Sequence, residues 1–304
     1  MHSPDSAESG SADSEHGAPQ GARISRRALG LAGLTGAAAA ALPGAALGHS
    51  NTSPLSVLGT PTLDSLKREG PYAVATVEVP PSESAVFGGG TLFYPASPQR
   101  GETFGVVVCV PGFTEPALAM DTVAQRIASH GFAVFSAAAR SGLDEPVWRA
   151  HMITAALKEA LRRPEWAAII DPARTAIIGH SMAGGGALTA AITEKVSAVI
   201  AIHPWSTIPF STVSEPVLVI GGTWDAIAPM SEHATPIYRS LSVSSEKGLL
   251  TRVEGTHRAG LDADPLIMPR MISFLKLYVD KDVRYRSLYL SRPEPHTRWE
   301  TTAR

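Results

Sequence analysis

The sequence predicts an α/β fold in which a mostly parallel central sheet is flanked by helices, with no lid domain. Apolar, β-branched runs alternate with helix-like patterns between about residues 72 and 280, and this alternation is typical of βαβ units. One of these runs turns directly into a small-residue segment, with Ser181 at the junction. The chain has no internal repeat and no insertion that would supply a lid.

Each element follows from a local pattern. The first two strands, residues 72–79 and 86–94, are joined through two prolines and are expected to pair antiparallel. The other strands are short apolar runs, as buried parallel strands are, and we place them at residues 104–110, 132–137, 175–178, 196–202, 216–222 and, last, 249–254. Amphipathic or small-residue patterns predict helices at residues 118–130, 147–163, 184–188, 231–241 and 264–279. The charged tail after Lys281 is expected to pack loosely.

The junction at Ser181 carries the most information. It reads Gly179-His180-Ser181-Met182-Ala183 and joins a predicted strand to a predicted helix, which is the form of the nucleophile elbow in α/β-hydrolases. The turn lifts the serine hydroxyl clear of the sheet and leaves backbone N–H groups at a helix N-terminus, where negative charge is favoured. The usual pattern is G-x-S-x-G, and Ala183 replaces its last glycine. On this motif alone, a glycine-rich helix start without a catalytic role stays open.

Two later residues supply the partners that a catalytic serine needs. Asp225 follows strand 216–222, and His257 follows strand 249–254. The chain order Ser, Asp, His is that of α/β-hydrolases, and each residue lies where open α/β sheets bind their ligands. We therefore predict Ser181 as nucleophile, His257 as base and Asp225 as the group that orients the base. Taken singly, Asp225 could be a turn or cap residue and His257 an ordinary loop residue.

The other histidines are weaker candidates for the base. His180 adjoins the serine and is expected to be a packed neighbour, and His203 precedes Pro204 at a strand end. The remaining candidates lie in predicted helices: His130, His151 and His233.

An oxyanion hole needs two N–H donors aimed at the charge that develops in the transition state. The N–H of Met182, next to the serine, is the first candidate. The second is the N–H of Phe113, in the loop Pro111-Gly112-Phe113-Thr114 that follows strand 104–110. A plain Pro-Gly turn would account for Pro111 and Gly112 but not for an exposed aromatic residue after them.

Composition excludes several classes of function. The 304 residues carry 26 basic and 28 acidic side chains without a basic run, so nucleic acid is not an expected partner. The single cysteine, Cys109, lies in a β-branched run, so we expect a small buried apolar residue and no intramolecular disulfide. No cysteine cluster and no H-E-x-x-H pattern is present, so neither a metal nor another cofactor is expected.

The first 48 residues are expected to be a leader that does not belong to the fold. Residues 1–21 are polar and lack aromatic residues, as disordered segments do. The motif Ser25-Arg26-Arg27 then precedes an Ala/Gly/Leu run and small residues up to Gly48, which resembles a twin-arginine export signal. The run is short and weakly apolar for a membrane anchor. We therefore predict a secreted protein whose residues 49–304 form a single α/β-hydrolase domain.

Nine short motifs are spread along most of the mature chain. They are PYAVA at 71–75, FGGGTLFYP at 87–95, VPGFT at 110–114, ASHGF at 128–132, GHSM at 179–182, PWST at 204–207, DAIAP at 225–229, LYVD at 277–280 and RY at 284–285. Together they resemble the actinobacterial cutinases and polyester hydrolases, a branch of the α/β-hydrolases near the dienelactone hydrolases. The resemblance implies a lid-less enzyme with a shallow groove, and it assigns the triad and the oxyanion donors to the residues already named.

The resemblance also implies substrate contacts. They fall on Phe113, Trp205 and Ile227, although Trp205 could be a core aromatic residue and Ile227 a packing residue. Three features depart from the family pattern: Ala183 in the elbow, Arg258 after the predicted base where relatives often carry an aromatic residue, and the lack of a C-terminal cysteine pair. The second makes the groove edge cationic and leaves aromatic polyesters open as substrates.

These observations predict a secreted, monomeric serine carboxylester hydrolase without a cofactor. It is expected to cleave cutin-like polyesters and short to medium acyl esters through an acyl-enzyme. Two other enzymes stay open: a lipase or esterase for small soluble esters without polymer activity, and a peptidase or amidase with the same triad. A non-catalytic binding protein on this scaffold is disfavoured because the triad is complete.

Overall fold

A central sheet carries the candidate site, in a computed structural model that describes residues 60–304 apart from Ser244. Within these residues the sheet has nine strands: β1 (Val74–Val79), β2 (Gly90–Pro95), β3 (Phe104–Val110), β4 (Phe132–Ala137), β5 (Ile170–His180), β6 (Ala198–Ile202), β7 (Val217–Gly222), β8 (Lys247–Arg252) and β9 (Thr297–Thr301). Their spatial order is β1-β2-β4-β3-β5-β6-β7-β8-β9. Strands β3 to β8 are parallel, whereas β1, β2 and β9 join the sheet through antiparallel pairs. The predicted mostly parallel sheet is confirmed.

Helices cover both faces of the sheet. They are α1 (Leu63–Leu66), α2 (Asp121–Ser129), α3 (Pro146–Arg162), α4 (Met182–Ala190), α5 (Ala234–Ser240), α6 (Met268–Tyr278) and α7 (Arg286–Tyr289). The buried side chains of α3, α4 and α5 share one apolar cluster with one sheet face. Those of α1, α2, α6 and α7 share a second cluster with the other face. Two apolar layers thus hold a rigid sheet whose loops carry the site.

Strand β3 shows why the sequence pattern succeeds. All seven of its residues are buried, and successive side chains alternate between the two clusters, with Val106 and Val108 in one and Val107 and Cys109 in the other. A parallel strand that is covered on both faces therefore reads as one continuous apolar run. Cys109 is fully buried, as expected, and burial raises the pKa of its thiol.

The tail after Lys281 contradicts its prediction, because it packs closely and adds a strand. Strand β9 pairs with β8 at the sheet edge and places Trp299 opposite Leu250. Tyr289 is fully buried, and its ring centroid lies 5.2 Å from that of Trp299. Strand 249–254 is therefore not the last. In β9 the exposed residues Arg298 and Glu300 alternate with partly buried neighbours, which is the two-residue period of a strand. In the sequence analysis, the charge of this segment was considered and its period was not.

Several helices begin later than predicted. A 3-10 turn at Ala117–Met120 precedes α2, and α6 begins at Met268, with a proline in its first turn, a position that proline favours. No helix within residues 60–304, Ser244 aside, combines the length and apolarity needed to cross a bilayer. The predicted leader, residues 1–48, lies outside the described residues.

Candidate active site

Ser181 stands at a strained turn between β5 and α4. Its backbone has φ 54° and ψ −121°, a conformation that non-glycine residues rarely adopt. A Cβ placed on Gly179 would lie 1.8 Å from the carbonyl oxygen of Ala183, so the elbow needs glycine at 179. Ala183 itself is fully buried and belongs to the apolar cluster that α4 shares with one sheet face. The fold therefore accommodates alanine at the position where the family pattern has glycine.

Asp225 and His257 meet at the carboxyl ends of β7 and β8. His257 Nδ1 lies 2.9 Å from Asp225 Oδ2 and 3.0 Å from Oδ1, and Oδ1 also accepts the N–H groups of Ile227 and Ala228. Burial raises the pKa of Asp225, but hydrogen bonds from His203, His257 and Ala228 outweigh it and hold that pKa well below its usual range. An ionised carboxylate can only accept a hydrogen bond, so this contact requires the proton on Nδ1 of His257 and leaves Nε2 for the predicted role of base.

The turn that carries the predicted nucleophile is tied to the loop that carries the predicted base. His180, the residue before Ser181, bonds through Nε2 to the carbonyl oxygen of His257 at 2.8 Å. Among the described residues, the hydrogen bonds do not include one between Ser181 Oγ and His257. This contact is often long in a free enzyme and shortens when substrate binds.

A second imidazole contacts the same carboxylate. His203 Nδ1 donates to Asp225 Oδ2 at 2.9 Å, and its buried Nε2 has no partner among the described residues. Burial lowers the pKa of His203 more strongly than the Asp225 hydrogen bond raises it, so the ring acts as a neutral donor. In the sequence analysis, His203 was weighed only as an alternative base and not as a hydrogen-bond donor to Asp225. The position of His203 at the end of β6, on the sheet edge of the predicted triad, was the available signal.

The three side chains could in principle hold a cation. Ligand atoms of His203, Asp225 and His257 lie within 4.8 Å of one another. Both Nδ1 atoms already donate to Asp225, so a metal bound there would displace two protons and break both hydrogen bonds. The arrangement fits a hydrogen-bonded carboxylate better than a metal centre.

Glu115 links the loop after β3 to the elbow. Its Oε2 accepts the N–H of Gly112 and lies 2.8 Å from His180 Nδ1. Burial raises the pKa of Glu115, but the hydrogen bond and charge of His180 and the N–H of Gly112 outweigh it, so the pKa is lowered. Arg258 Nη1 lies 3.9 Å from Glu115 Oε1, and its side chain is 59% exposed. Arg258 therefore places a cation beside the candidate base.

The two predicted oxyanion donors are available. Among the described residues, the backbone hydrogen bonds do not use the N–H groups of Phe113 or Met182, and Met182 is the first residue of α4, where an N–H has no acceptor within the helix. Gly112 packs against the serine so closely that a Cβ on it would lie 2.7 Å from Ser181 Cβ. The loop that carries Phe113 therefore touches the elbow.

The predicted groove residues lie at the surface. The side chains of Phe113 and Ile227 are 42% and 65% exposed, so Ile227 is not a packing residue. Trp205 is half-buried. Its backbone N–H donates to the carbonyl oxygen of Ser181 at 2.9 Å, and its ring lies against His233. Trp224, beside Asp225, is 64% exposed and adds to the surface an aromatic ring that the sequence analysis did not include among the groove residues.

The sheet, the elbow at its carboxyl edge and the carboxylate-bound histidine define an α/β-hydrolase. Residues 49–303 match the family described as PET hydrolase-like. The chain is 36% identical to the bis(hydroxyethyl) terephthalate hydrolase of Streptomyces coelicolor over 292 residues, which covers 92% of this chain and 93% of that one. It is also 36% identical over 228 residues, 74% of this chain, to cutinase 1 of Thermobifida cellulosilytica and to a cutinase of Thermobifida fusca, of which 86% and 75% are covered.

The protein therefore belongs to the PET hydrolase-like family and is a carboxylic ester hydrolase. The resemblance to actinobacterial cutinases and polyester hydrolases, inferred from the short motifs, is confirmed.

Proposed function

We propose that the protein is a secreted serine esterase that cleaves polyesters and the small diol esters derived from them. One observation carries the mechanism: His257 is hydrogen-bonded to an ionised Asp225 in the loop next to the elbow that presents Ser181. The names of the relatives support the substrate class, since they act on cutin or on bis(hydroxyethyl) terephthalate. Short to medium acyl esters follow from the same chemistry.

In the proposed reaction, Ser181 Oγ attacks the ester carbonyl carbon while His257 Nε2 takes its proton. The negative charge on the former carbonyl oxygen is stabilised by the N–H groups of Phe113 and Met182, each worth about 3–4 kcal/mol in a comparable site. The tetrahedral intermediate expels the alcohol oxygen, which receives the proton from His257, and an acyl-serine remains. Water then attacks the acyl carbon by the same route, and Asp225 stabilises the imidazolium in both steps.

The surface around the serine suits an apolar acyl group. Phe113 and Ile227 expose apolar area and Trp205 adds a half-buried ring, so an aliphatic chain or an aryl ring gains from leaving water there. Arg258 adds a positive charge at the edge of this surface. We infer that esters which carry a free carboxylate elsewhere in the molecule are tolerated at this edge.

The substrate assignment is tested with one panel of substrates. It contains nitrophenyl esters of increasing chain length, bis(hydroxyethyl) terephthalate, an aliphatic polyester film, a poly(ethylene terephthalate) film and matching anilides. We expect turnover of the esters and loss of film mass, no anilide cleavage, and no activity in Ser181→Ala. Small-ester activity without film erosion would favour a general esterase, and anilide cleavage would favour an amidase.

Secretion is proposed from the leader alone. Residues 1–48 carry the paired arginines Arg26 and Arg27 before a weakly apolar run, and such signals direct folded proteins to export. N-terminal sequencing of the enzyme from the culture medium is expected to begin near residue 49. An Arg26→Lys, Arg27→Lys double variant is expected to stay in the cells, and undiminished export of it would contradict this route.

A further inference from the structure

Arg149 is a buried cation next to the oxyanion loop, residues 111–115. It lies in the first turn of α3 and is fully buried. Its Nη2 donates to the carbonyl oxygens of Gly112 and Gly142, both at 3.1 Å, and its Nε donates to that of Asp144 at 3.3 Å. Burial lowers the pKa of Arg149, and the charges of Asp144 and Glu115 oppose that shift. A guanidinium stays protonated in proteins, so a full positive charge sits against three carbonyl dipoles.

Burying this charge costs more folding free energy than support of the loop alone would require. Nη1 of Arg149 has no hydrogen-bond partner in the part of the chain that the structure describes, and a buried charge with an unpaired donor is costly. The direct acceptors of Arg149 are backbone oxygens, while Asp144 and Glu115 act on it through charge alone. A neutral donor could have satisfied those carbonyls at lower cost.

The carbonyl group of Gly112 is joined covalently to one of the two predicted oxyanion donors. It belongs to the same peptide group as the N–H of Phe113, and in a planar trans peptide the C=O and the N–H point in opposite directions. Arg149 holds this oxygen at 3.1 Å, closer than the N–H of Glu115, which donates to it at 3.4 Å. Holding the oxygen on one side fixes the direction of the N–H on the other. A charged donor on a carbonyl oxygen also polarises the amide and strengthens the hydrogen bond that its N–H gives.

The neighbouring peptides are fixed as well. The N–H of Gly112 is held by Glu115, and the N–H of Thr114 donates to the carbonyl oxygen of Gly142 at 2.8 Å. The same Gly142 oxygen accepts from Arg149. In the loop between these two bonds, the N–H of Phe113 makes no backbone hydrogen bond among the described residues. Within the described chain, the Phe113 N–H is therefore an unpaired donor between two neighbours whose N–H groups are both hydrogen-bonded.

We propose that Arg149 is a positioning residue of the oxyanion hole, which orients and polarises the Phe113 N–H through the carbonyl of Gly112. This inference depends on the proposed function, because it assigns Phe113 N–H to the transition-state oxyanion. It predicts that loss of the guanidinium lowers kcat more than it raises KM, since the ground-state ester carries little charge on that oxygen.

The test compares two buried arginines. Arg270 in α6 also donates to three carbonyl oxygens, those of Leu288, Tyr289 and Ser291, but on the opposite face of the sheet from α3. Both Arg149→Met and Arg270→Met are expected to lower the melting temperature. Only Arg149→Met is expected to lower kcat, by about 10- to 100-fold, with KM changed less than about threefold. Arg149→Lys keeps the cation and is expected to recover part of kcat.

A tetrahedral ligand separates positioning from general damage. Phenylboronic acid adds to a catalytic serine and places an oxygen in the oxyanion hole, so its affinity is expected to fall in step with kcat in Arg149→Met and to stay unchanged in Arg270→Met. In the wild-type enzyme, where no variant needs to fold, the ligand is expected to shift the NMR signals of the Phe113 amide and the Arg149 guanidinium together. A Phe113 shift with unmoved Arg149 signals overturns the proposal, as does wild-type kcat in a folded Arg149→Met.

The proposed function and the positioning role of Arg149 are tested by different outcomes. If a fluorophosphonate does not label Ser181 in the wild-type enzyme, the nucleophile assignment itself is wrong. If Ser181 is labelled and Arg149→Met keeps the wild-type kcat and boronate affinity, only the positioning role of Arg149 is wrong.

Discussion

Gly112→Ala tests the contact between the oxyanion loop and the elbow. The backbone of Gly112 is not left-handed, so alanine is not excluded by conformation. Its new Cβ, however, would lie 2.7 Å from Ser181 Cβ, 2.9 Å from Glu115 Oε2 and 3.2 Å from His180 Nδ1. An ordinary contact begins at 3.4 Å. The loop and the serine must therefore separate by at least about 0.7 Å, the difference between those distances.

The size of the effect follows from that displacement. The elbow is held by the sheet and by the backbone N–H of Trp205, which donates to the carbonyl oxygen of Ser181, so we expect the loop to move. A misplacement near 1 Å costs about 100-fold in rate, and loss of one oxyanion donor costs about 100- to 1,000-fold in kcat. We expect kcat for nitrophenyl butyrate to fall about 100-fold in Gly112→Ala, with little change in KM.

Gly142→Ala is the matched control. Its new Cβ would meet its nearest neighbour, Thr114 Cα, at 3.4 Å, an ordinary contact. It makes the same chemical change in the adjoining loop, and we expect kcat within about twofold of wild type. Steady-state kinetics with thermal melts on both variants decide the matter. If Gly112→Ala keeps kcat within a factor of about three, the oxyanion loop does not depend on this contact and the reasoning is refuted.

Three further predictions concern stability. Ala183→Gly is expected to cost about 1 kcal/mol of unfolding free energy, as in other helices, and to leave kcat within twofold; a large gain in kcat would show that alanine impairs the elbow. Burial lowers the pKa of His130 to about 4, so the unfolded chain binds a proton below about pH 6.5 that the folded chain refuses, and stability falls by about 2 kcal/mol by pH 5. In urea unfolding, His130→Gln is expected to lose that much less between pH 7.5 and pH 5 than either wild type or the exposed control His151→Gln; equal losses would contradict the assignment. Trp299→Ala, which removes a ring packed on Tyr289 and under Arg270, is expected to cost about 2–4 kcal/mol, and an unchanged melting temperature would mean that the tail packs loosely after all.

Patterns with a strong physical period were readable from the sequence. Strand β3 could be predicted because both of its faces are covered, and the elbow because a strained serine between strand and helix needs a glycine at 179. The order of Ser181, Asp225 and His257 along the chain then placed them on one sheet edge, where the structure brings Asp225 and His257 into contact.

The supporting contacts were not readable in the same way. Glu115 and Arg149 act across 65 and 37 residues of chain, on His180 and on Gly112, and no local period encodes such partners. His203 looked like an ordinary strand-end residue, because no motif marks it. Its role depends on Asp225, the carboxylate that it shares with His257. Strand β9 was not predicted, because the charged side chains of Arg298 and Glu300 on its exposed face made the segment resemble a loosely packed tail.

The nucleophile is tested most directly by covalent trapping. The wild-type enzyme is incubated with a fluorophosphonate, and its intact mass, its peptide map and its residual ester hydrolysis are measured together. The account predicts one adduct per chain, located on Ser181, with activity lost in proportion to labelling. An adduct on another residue, or a labelled enzyme that still hydrolyses esters at the original rate, would contradict it.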